Sequence, residues 1–137
     1  METGDFKSII QQNPLFKKLD DNSLNILIHQ GKIKLFAQGE IIYQKGEPSQ
    51  GNFGIVISGR VGVISNSGQI IAGLGPGEII GEVGATSPQG KRTVTVRAIQ
   101  NTELLEWNIK TIQQTFPELV KQLKNLTWKR VSNYMER

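Results

Sequence analysis

Glycines are concentrated in the middle of the chain, where they separate short apolar segments. Fourteen of the 15 glycines lie between Gly31 and Gly90. Within this stretch apolar residues recur at every second position, which is the spacing of a β-strand. The clearest run places Phe53, Ile55, Ile57, Val61 and Val63 on one parity and Gly54, Ser58, Arg60 and Gly62 on the other. Short strands joined by glycine turns predict a sandwich or a small barrel, with the two parities on opposite faces.

The segments on either side follow helical spacing. Near the N-terminus, Pro14 should end a first helix, and Asp20 or Asp21 can cap a second. That second helix would carry Leu24, Leu27 and Ile28 on one face. After Trp107 a short helix should run to Pro117, and a final helix should follow it. The prediction is one mainly β domain, residues 1–137, with N-terminal helices in 1–30, a β-roll in 31–108 and C-terminal helices in 109–137.

Composition removes several classes of protein. The chain has 137 residues, no cysteine and a single histidine, so cysteine nucleophiles and sites built on several His or Cys ligands are excluded. His29 falls at the end of the second predicted helix, where a structural role suits it. No nucleophile–base pair or metal cluster is apparent, so we expect neither an enzyme nor a metal site. No signal peptide or membrane span is apparent, which predicts a cytoplasmic protein.

Positive charge is concentrated at the C-terminal end. The net charge is +4, and residues 109–137 carry six basic and two acidic groups. A solvated basic helix face is the favoured interpretation. The alternative is a surface for an acidic protein or nucleic acid.

The segment from Gly75 to Thr93 departs from the strand pattern. Gly81 and Gly84 allow a ligand to approach the backbone, and a helical turn beginning near Gly81 would present free N–H groups to an anion. Arg92 offers a planar fork that fits phosphate oxygens, and Glu82 can accept a hydrogen bond from a sugar hydroxyl. The same residues could be turn glycines and a plain ion pair. Residue chemistry alone therefore indicates only a phosphate-binding loop, and neither the Walker nor the dinucleotide motif is present.

Residues 79–98, IIGEVGATSPQGKRTVTVRA, resemble the phosphate-binding cassette of cyclic-nucleotide-binding domains. Those domains occur in the bacterial catabolite activator, in regulatory subunits of cyclic-nucleotide-dependent kinases and in gated channels. Residues 39–48 are similar to the family's first hairpin, 53–61 to its next strand pair and 13–16 to its N-terminal helical segment. The resemblance covers essentially the whole chain. It implies a double-stranded β-helix (jelly-roll) β-roll with N-terminal helices and a C-terminal lid helix.

The resemblance also implies roles for individual residues. Glu82 would accept from the ribose 2′-hydroxyl, Arg92 would pair with the exocyclic phosphate oxygens, and backbone N–H groups nearby would complete the anion shell. The hydroxyl of Thr93 leaves cyclic GMP open as a ligand, although cyclic AMP is favoured; no cofactor is expected. The candidate ligand-binding residues are Gly81, Glu82, Val83, Gly84, Ala85, Arg92, Thr93 and Tyr134.

Signalling would follow from movement of the C-terminal helix over the bound base. Tyr134 is the first candidate for the lid, followed by Val131 and Trp128. Leu119, Leu123 and Leu126 form a stripe that would pack on the β-roll or, alternatively, on a second copy in a homodimer. The sequence shows no DNA-binding domain, so a protein partner of unknown identity is expected. The alternative function is a β-roll interaction module with a vestigial pocket, whose basic last helix binds an acidic protein or nucleic acid.

Overall fold

The computed structural model describes the backbone of residues 3–135 and the side chains of residues 6–127. Two N-terminal helices, α1 (Thr3–Ile10) and α2 (Asp21–Gln30), flank a 3₁₀ turn at Pro14–Phe16. Of the two predicted caps it is Asp20 that caps α2, because its carboxylate accepts a hydrogen bond from the Ser23 N–H at 2.7 Å.

Eight strands follow α2 and form two four-stranded antiparallel sheets. The strands are β1 (Lys32–Phe36), β2 (Ile41–Tyr43), β3 (Asn52–Ser58), β4 (Val61–Ile64), β5 (Ile70–Leu74), β6 (Ile79–Ile80), β7 (Thr95–Ala98) and β8 (Thr102–Asn108). The first sheet has the order β1-β8-β3-β6 and the second β2-β7-β4-β5. This arrangement confirms a mainly β fold, a β-roll with flanking helices.

The prediction that β3 and β4 share one apolar face is wrong. Phe53, Ile55 and Ile57 pack in a core between the first sheet and the helices, whereas Val61 and Val63 pack in a second core inside the roll. The chain changes sheet at Gly59, which has φ +90°. Val56 is also buried, because the two faces of β3 pack in the two different cores.

Three helices complete the fold. A short helix, α3 (Glu82–Thr86), lies between β6 and β7, and the chain ends with α4 (Ile109–Thr115) and α5 (Pro117–Met135). Leu119 and Leu123 are buried in the core between the helices and the first sheet, and Leu126 packs against it. The stripe therefore packs on the body of the protein, which was one of the two alternatives. Among the described residues, no helix combines the length and the hydropathy that crossing a bilayer requires.

Candidate functional site

A cavity opens at the end of the second sheet beside α3. Its free volume is about 20 Å³, and about 370 Å³ when the space that is open to solvent is included. Its floor is apolar, and its rim carries the backbone of α3 together with two charged side chains, Glu82 and Arg92. The lining residues are Tyr43, Val63, Leu74, Ile80, Gly81, Glu82, Val83, Gly84, Arg92, Thr93, Val94 and Val96. An apolar cavity with a few convergent polar groups is typical of a small-molecule site.

Gly81 forms the turn between β6 and α3 and has a left-handed φ of +79°. A Cβ at this position would lie 2.5 Å from Tyr43 Cε2 and 2.9 Å from Arg92 Nη1. Only glycine can adopt this φ and leave room for these two side chains without strain. Because glycine has no side chain to cap the helix, the first turn of α3 has no side-chain cap.

The backbone of Arg92 is held against the segment that follows β2. The Arg92 N–H donates to the Glu47 carbonyl at 2.8 Å, and the Arg92 carbonyl accepts from the Gly46 N–H at 2.8 Å. Arg92 is not part of a strand, because β7 begins at Thr95. Arg92 instead lies in the irregular segment before β7, where its side chain turns toward α3.

The Arg92 side chain is only 6 % exposed. Its Nη1 donates to the Gly81 carbonyl at 2.9 Å, and its Cζ lies 3.5 Å from the centroid of the Tyr43 ring. This is cation–π geometry. Desolvation lowers the pKa of Arg92, while Glu106 and Glu82 act in the opposite direction. A guanidinium remains charged despite such a shift, so the cavity contains a buried cation.

Tyr43 connects this cation to a buried carboxylate. Its hydroxyl donates to Glu106 Oε2 at 2.9 Å, and Glu106 Oε1 pairs with Lys34 Nζ at 2.9 Å. Burial raises the pKa of Tyr43, and the charge of Glu106 raises it further. The phenol therefore stays protonated and acts as the hydrogen-bond donor.

Glu82 is the first residue of α3 and is 2 % exposed. Its charge interacts favourably with Arg92 across the cavity rim. A carboxylate at the first turn of a helix is also favourably placed relative to the helix dipole. The site thus pairs a donor-only group, Arg92, with an acceptor-only group, Glu82.

Most of the predicted site residues meet at this cavity. Six of them line it, namely Gly81, Glu82, Val83, Gly84, Arg92 and Thr93. Ala85 does not: it packs in the core between the helices and the first sheet, and its N–H donates to the Gly81 carbonyl at 3.0 Å. The side chains of Tyr134, Val131 and Trp128 lie outside the described residues, so the lid stays a prediction.

The predicted set lacks six of the lining residues, namely Tyr43, Val63, Leu74, Ile80, Val94 and Val96, and it lacks Glu106, which is hydrogen-bonded to Tyr43. Tyr43 comes from β2, 49 residues before Arg92, and Glu106 comes from β8, 14 residues after it. The β-branched and aromatic run Ile41-Ile42-Tyr43 indicates only a strand. Nothing in the local sequence shows that the ring of Tyr43 faces Arg92, because the contact depends on the pairing of β2 with β7, which lie far apart along the chain.

Comparison with known proteins agrees with the fold. The family model of the cyclic nucleotide-binding domain matches residues 33–118, which is more than half of the chain. The matched region contains the eight-stranded roll apart from its first residue, together with α3. The chain belongs to the cyclic nucleotide-binding domain family.

Three relatives illustrate the match. The cyclic AMP receptor protein of Thermus thermophilus is 30 % identical over 97 residues, covering 68 % of this chain and 44 % of the relative. The potassium channel KAT3 of Arabidopsis thaliana is 37 % identical over 83 residues, covering 58 % of this chain and 12 % of the channel. The chain thus spans less than half the length of either protein. The cAMP-bound structure of PfPKA-R (141–441) superposes with a TM-score of 0.80 at 21 % identity, covering 98 % of this chain and 45 % of that one.

Proposed function

We propose that the protein binds a cyclic nucleotide in the cavity beside α3, with the cyclic phosphate on Arg92. The observation that carries the proposal is the buried Arg92 guanidinium at a cavity rim formed by the N-terminal turn of α3. A phosphate at this point would receive charge-assisted hydrogen bonds from Arg92 and face the positive end of the peptide dipoles. Burial strengthens both interactions, because the local dielectric constant is low.

Glu82 would hold the ribose. A carboxylate beside a phosphate repels it, so its use in the site requires a hydroxyl donor on the ligand. The 2′-hydroxyl of a 3′,5′-cyclic nucleotide is such a donor. Gly81 would contribute to the site by allowing the Tyr43 ring and the Arg92 guanidinium to lie against the backbone, since it has no side chain to displace them.

Cyclic AMP is the ligand we favour, and Thr93 is the residue that leaves cyclic GMP open. Thr93 lines the cavity next to Arg92. Its hydroxyl could contact both the phosphate and the amino group of a guanine in the syn conformation. Two of the relatives' names, the cyclic AMP receptor protein and the cAMP-bound PfPKA-R, support the adenine nucleotide.

The signal would be a movement of α5 that follows ligand binding at α3. The two helices are in contact: Ala85 shares a core with Leu119 and Leu123, and Thr86 Oγ1 lies 3.3 Å from Thr127 Oγ1. A ligand that binds one arrangement of α3 more tightly shifts the population toward the matching position of α5. We propose a regulatory role rather than a catalytic one, with an unidentified protein as the recipient of the signal.

Calorimetric titration with cyclic AMP, cyclic GMP and 5′-AMP tests this function. We expect one ligand per chain, tighter binding of cyclic AMP than of cyclic GMP, and the weakest binding for 5′-AMP. The variant Thr93→Ala should weaken cyclic GMP more than cyclic AMP, because it removes the contact with the guanine amino group. If millimolar concentrations of both cyclic nucleotides give no saturable heat, the proposed function is wrong.

A further inference from the structure

Lys34, Glu106 and Tyr43 form a chain of polar contacts that leads from the surface to Arg92. Lys34 belongs to β1, Glu106 to β8 and Tyr43 to β2. Both links, Lys34 Nζ to Glu106 Oε1 and Tyr43 hydroxyl to Glu106 Oε2, are 2.9 Å long. Because β8 belongs to the first sheet and β2 to the second, the Tyr43–Glu106 hydrogen bond connects the two sheets.

The inner members of this chain are buried. Tyr43 is 7 % exposed and Glu106 is 9 % exposed, whereas Lys34 is half exposed. A buried phenol and a buried carboxylate that satisfy each other form a strong, charge-assisted hydrogen bond. This bond fixes the hydroxyl end of Tyr43, so that the face of its ring is held toward Arg92.

The guanidinium of Arg92 is held on two sides by these contacts. The Tyr43 ring lies against one face, with Cζ 3.5 Å from the centroid, and the Gly81 carbonyl accepts from Nη1 at 2.9 Å. A free arginine side chain has many rotamers, and a ligand that must order it loses binding energy in doing so. An arginine that is already ordered avoids this loss.

We propose that Tyr43 and Glu106 are positioning residues, which hold the Arg92 guanidinium in its phosphate-binding orientation before the ligand arrives. This inference rests on the proposed function, because it assumes that Arg92 is the phosphate ligand. The Tyr43 ring holds the Arg92 guanidinium by direct contact, and the Glu106 carboxylate holds the Tyr43 hydroxyl by a hydrogen bond. Lys34 contributes by balancing the charge of Glu106.

Substitutions at Tyr43 separate the ring from the hydroxyl. Tyr43→Leu removes both and should weaken cyclic AMP binding by roughly tenfold or more, since cation–π contacts are strongest when desolvated. Tyr43→Phe keeps the ring and should lose only about threefold, and Glu106→Gln should resemble it because the acceptor becomes neutral. Phe53→Leu is the control, because it removes a buried ring that packs against Trp107 rather than Arg92. This control should lower the unfolding temperature and leave the affinity within about twofold.

A double-mutant cycle with Arg92→Ala distinguishes positioning from general stability. If Tyr43 acts through Arg92, Tyr43→Leu should change the affinity less than about twofold in the Arg92→Ala background, measured by ligand-observed NMR at millimolar nucleotide. In the ligand-free protein, the Arg92 side-chain protons should be shifted upfield by the Tyr43 ring. The shift should persist in Tyr43→Phe and disappear in Tyr43→Leu.

The outcomes separate this inference from the proposed function. If the wild type and Tyr43→Leu bind cyclic AMP equally well, the positioning role is wrong and the proposed function stands. The same conclusion follows if the losses of binding free energy caused by Tyr43→Leu and Arg92→Ala are additive in the double variant. Absence of the upfield shift in the ligand-free wild type also contradicts the positioning role. If the wild type binds no cyclic nucleotide, the proposed function fails and the inference fails with it.

Discussion

Gly81 is the residue on which the geometry of the site most directly depends. It combines a left-handed backbone with direct contact to the Tyr43 ring and to Arg92, and its carbonyl is the acceptor for Arg92. Gly39 has a similar φ of +91°, yet a Cβ there would meet nothing within 4 Å. The two glycines can therefore be compared directly. Both have a positive φ, but only at Gly81 would a side chain overlap with neighbouring atoms.

This pair predicts two different losses on substitution. Gly39→Ala should lower the free energy of unfolding by about 1 kcal/mol, the cost of a left-handed backbone for alanine. Gly81→Ala should lower it by about 3 kcal/mol, because overlap with Tyr43 and Arg92 adds to the same strain. Urea unfolding measures both, and titration with cyclic AMP should show weakened binding for Gly81→Ala alone. Equal losses for the two variants would show that the contacts around Gly81 are not tight.

The residues of the cassette could be predicted from the sequence because they are neighbours along the chain. Gly81, Glu82 and Gly84 lie on one turn. Arg92 follows closely enough along the chain for its guanidinium to be assigned to the same phosphate. Tyr43 and Glu106 could not be found in this way. The Tyr43–Glu106 hydrogen bond joins the two sheets, and the Tyr43–Arg92 contact follows from the pairing of β2 with β7. Local patterns encode neither.

At the level of elements, strand alternation predicted the roll but not its two cores. Alternation identifies a strand with one buried face, whereas β3 is covered on both faces. The positions of the apolar residues in β3 therefore could not show in which core the side chains of β4 are buried. The helix boundaries were easier to predict, because Asp20 and Pro117 act locally, as a cap and a first helical residue.

The cap of α2 predicts a dependence of stability on pH. The hydrogen bond from Ser23 lowers the pKa of Asp20 below its ordinary value of 3.8. A lowered pKa means that the ionised carboxylate stabilises the fold above pH 3.8, and that this contribution is lost as the pH falls through the folded-state pKa. Asp20→Ala should therefore be less stable than the wild type at pH 7, and the difference should narrow below pH 3.8.

Asp20→Asn is the control for this prediction. Asparagine caps a helix nearly as well as aspartate but does not titrate. Its stability at pH 7 should be close to that of the wild type, and the acid-side loss attributed to Asp20 should be absent. Urea unfolding between pH 2.5 and pH 7 measures all three proteins. A constant difference between the wild type and Asp20→Ala over that range would contradict the assignment of the cap.

At the scale of the whole molecule, the two cores provide a route by which ligand binding at the cavity can change the position of α5. The second core, inside the roll, forms the floor of the cavity, and the first core contains Ala85 of α3 with Leu119 and Leu123 of α5. The short helix α3 thus faces the cavity at Glu82 and the first core at Ala85. Ordering of α3 by a ligand should therefore be transmitted to α5 by direct packing.

Hydrogen–deuterium exchange can follow this transmission. Cyclic AMP should slow the exchange of amides in α3 and in residues 119–127 of α5, because ligand binding stabilises the arrangement in which they pack together. The turn at residues 65–69 between β4 and β5 provides an internal control, since none of its residues lines the cavity. Slower exchange in α3 with unchanged exchange in α5 would mean that the signal leaves by another route.

The central claim is that Arg92 holds the phosphate of a cyclic nucleotide, and thermal unfolding with and without cyclic AMP tests it most directly. At 100 times the dissociation constant a ligand stabilises the folded state by about 2.7 kcal/mol, which corresponds to a rise in Tm of roughly 10 °C for a domain of this size. We predict this rise for the wild type and for Arg97→Ala, whose arginine lies on β7 away from the cavity lining. Arg92→Lys should keep a small part of the rise and Arg92→Ala none. An unchanged Tm for the wild type in millimolar cyclic AMP, or an equal rise in Arg92→Ala, would contradict the claim.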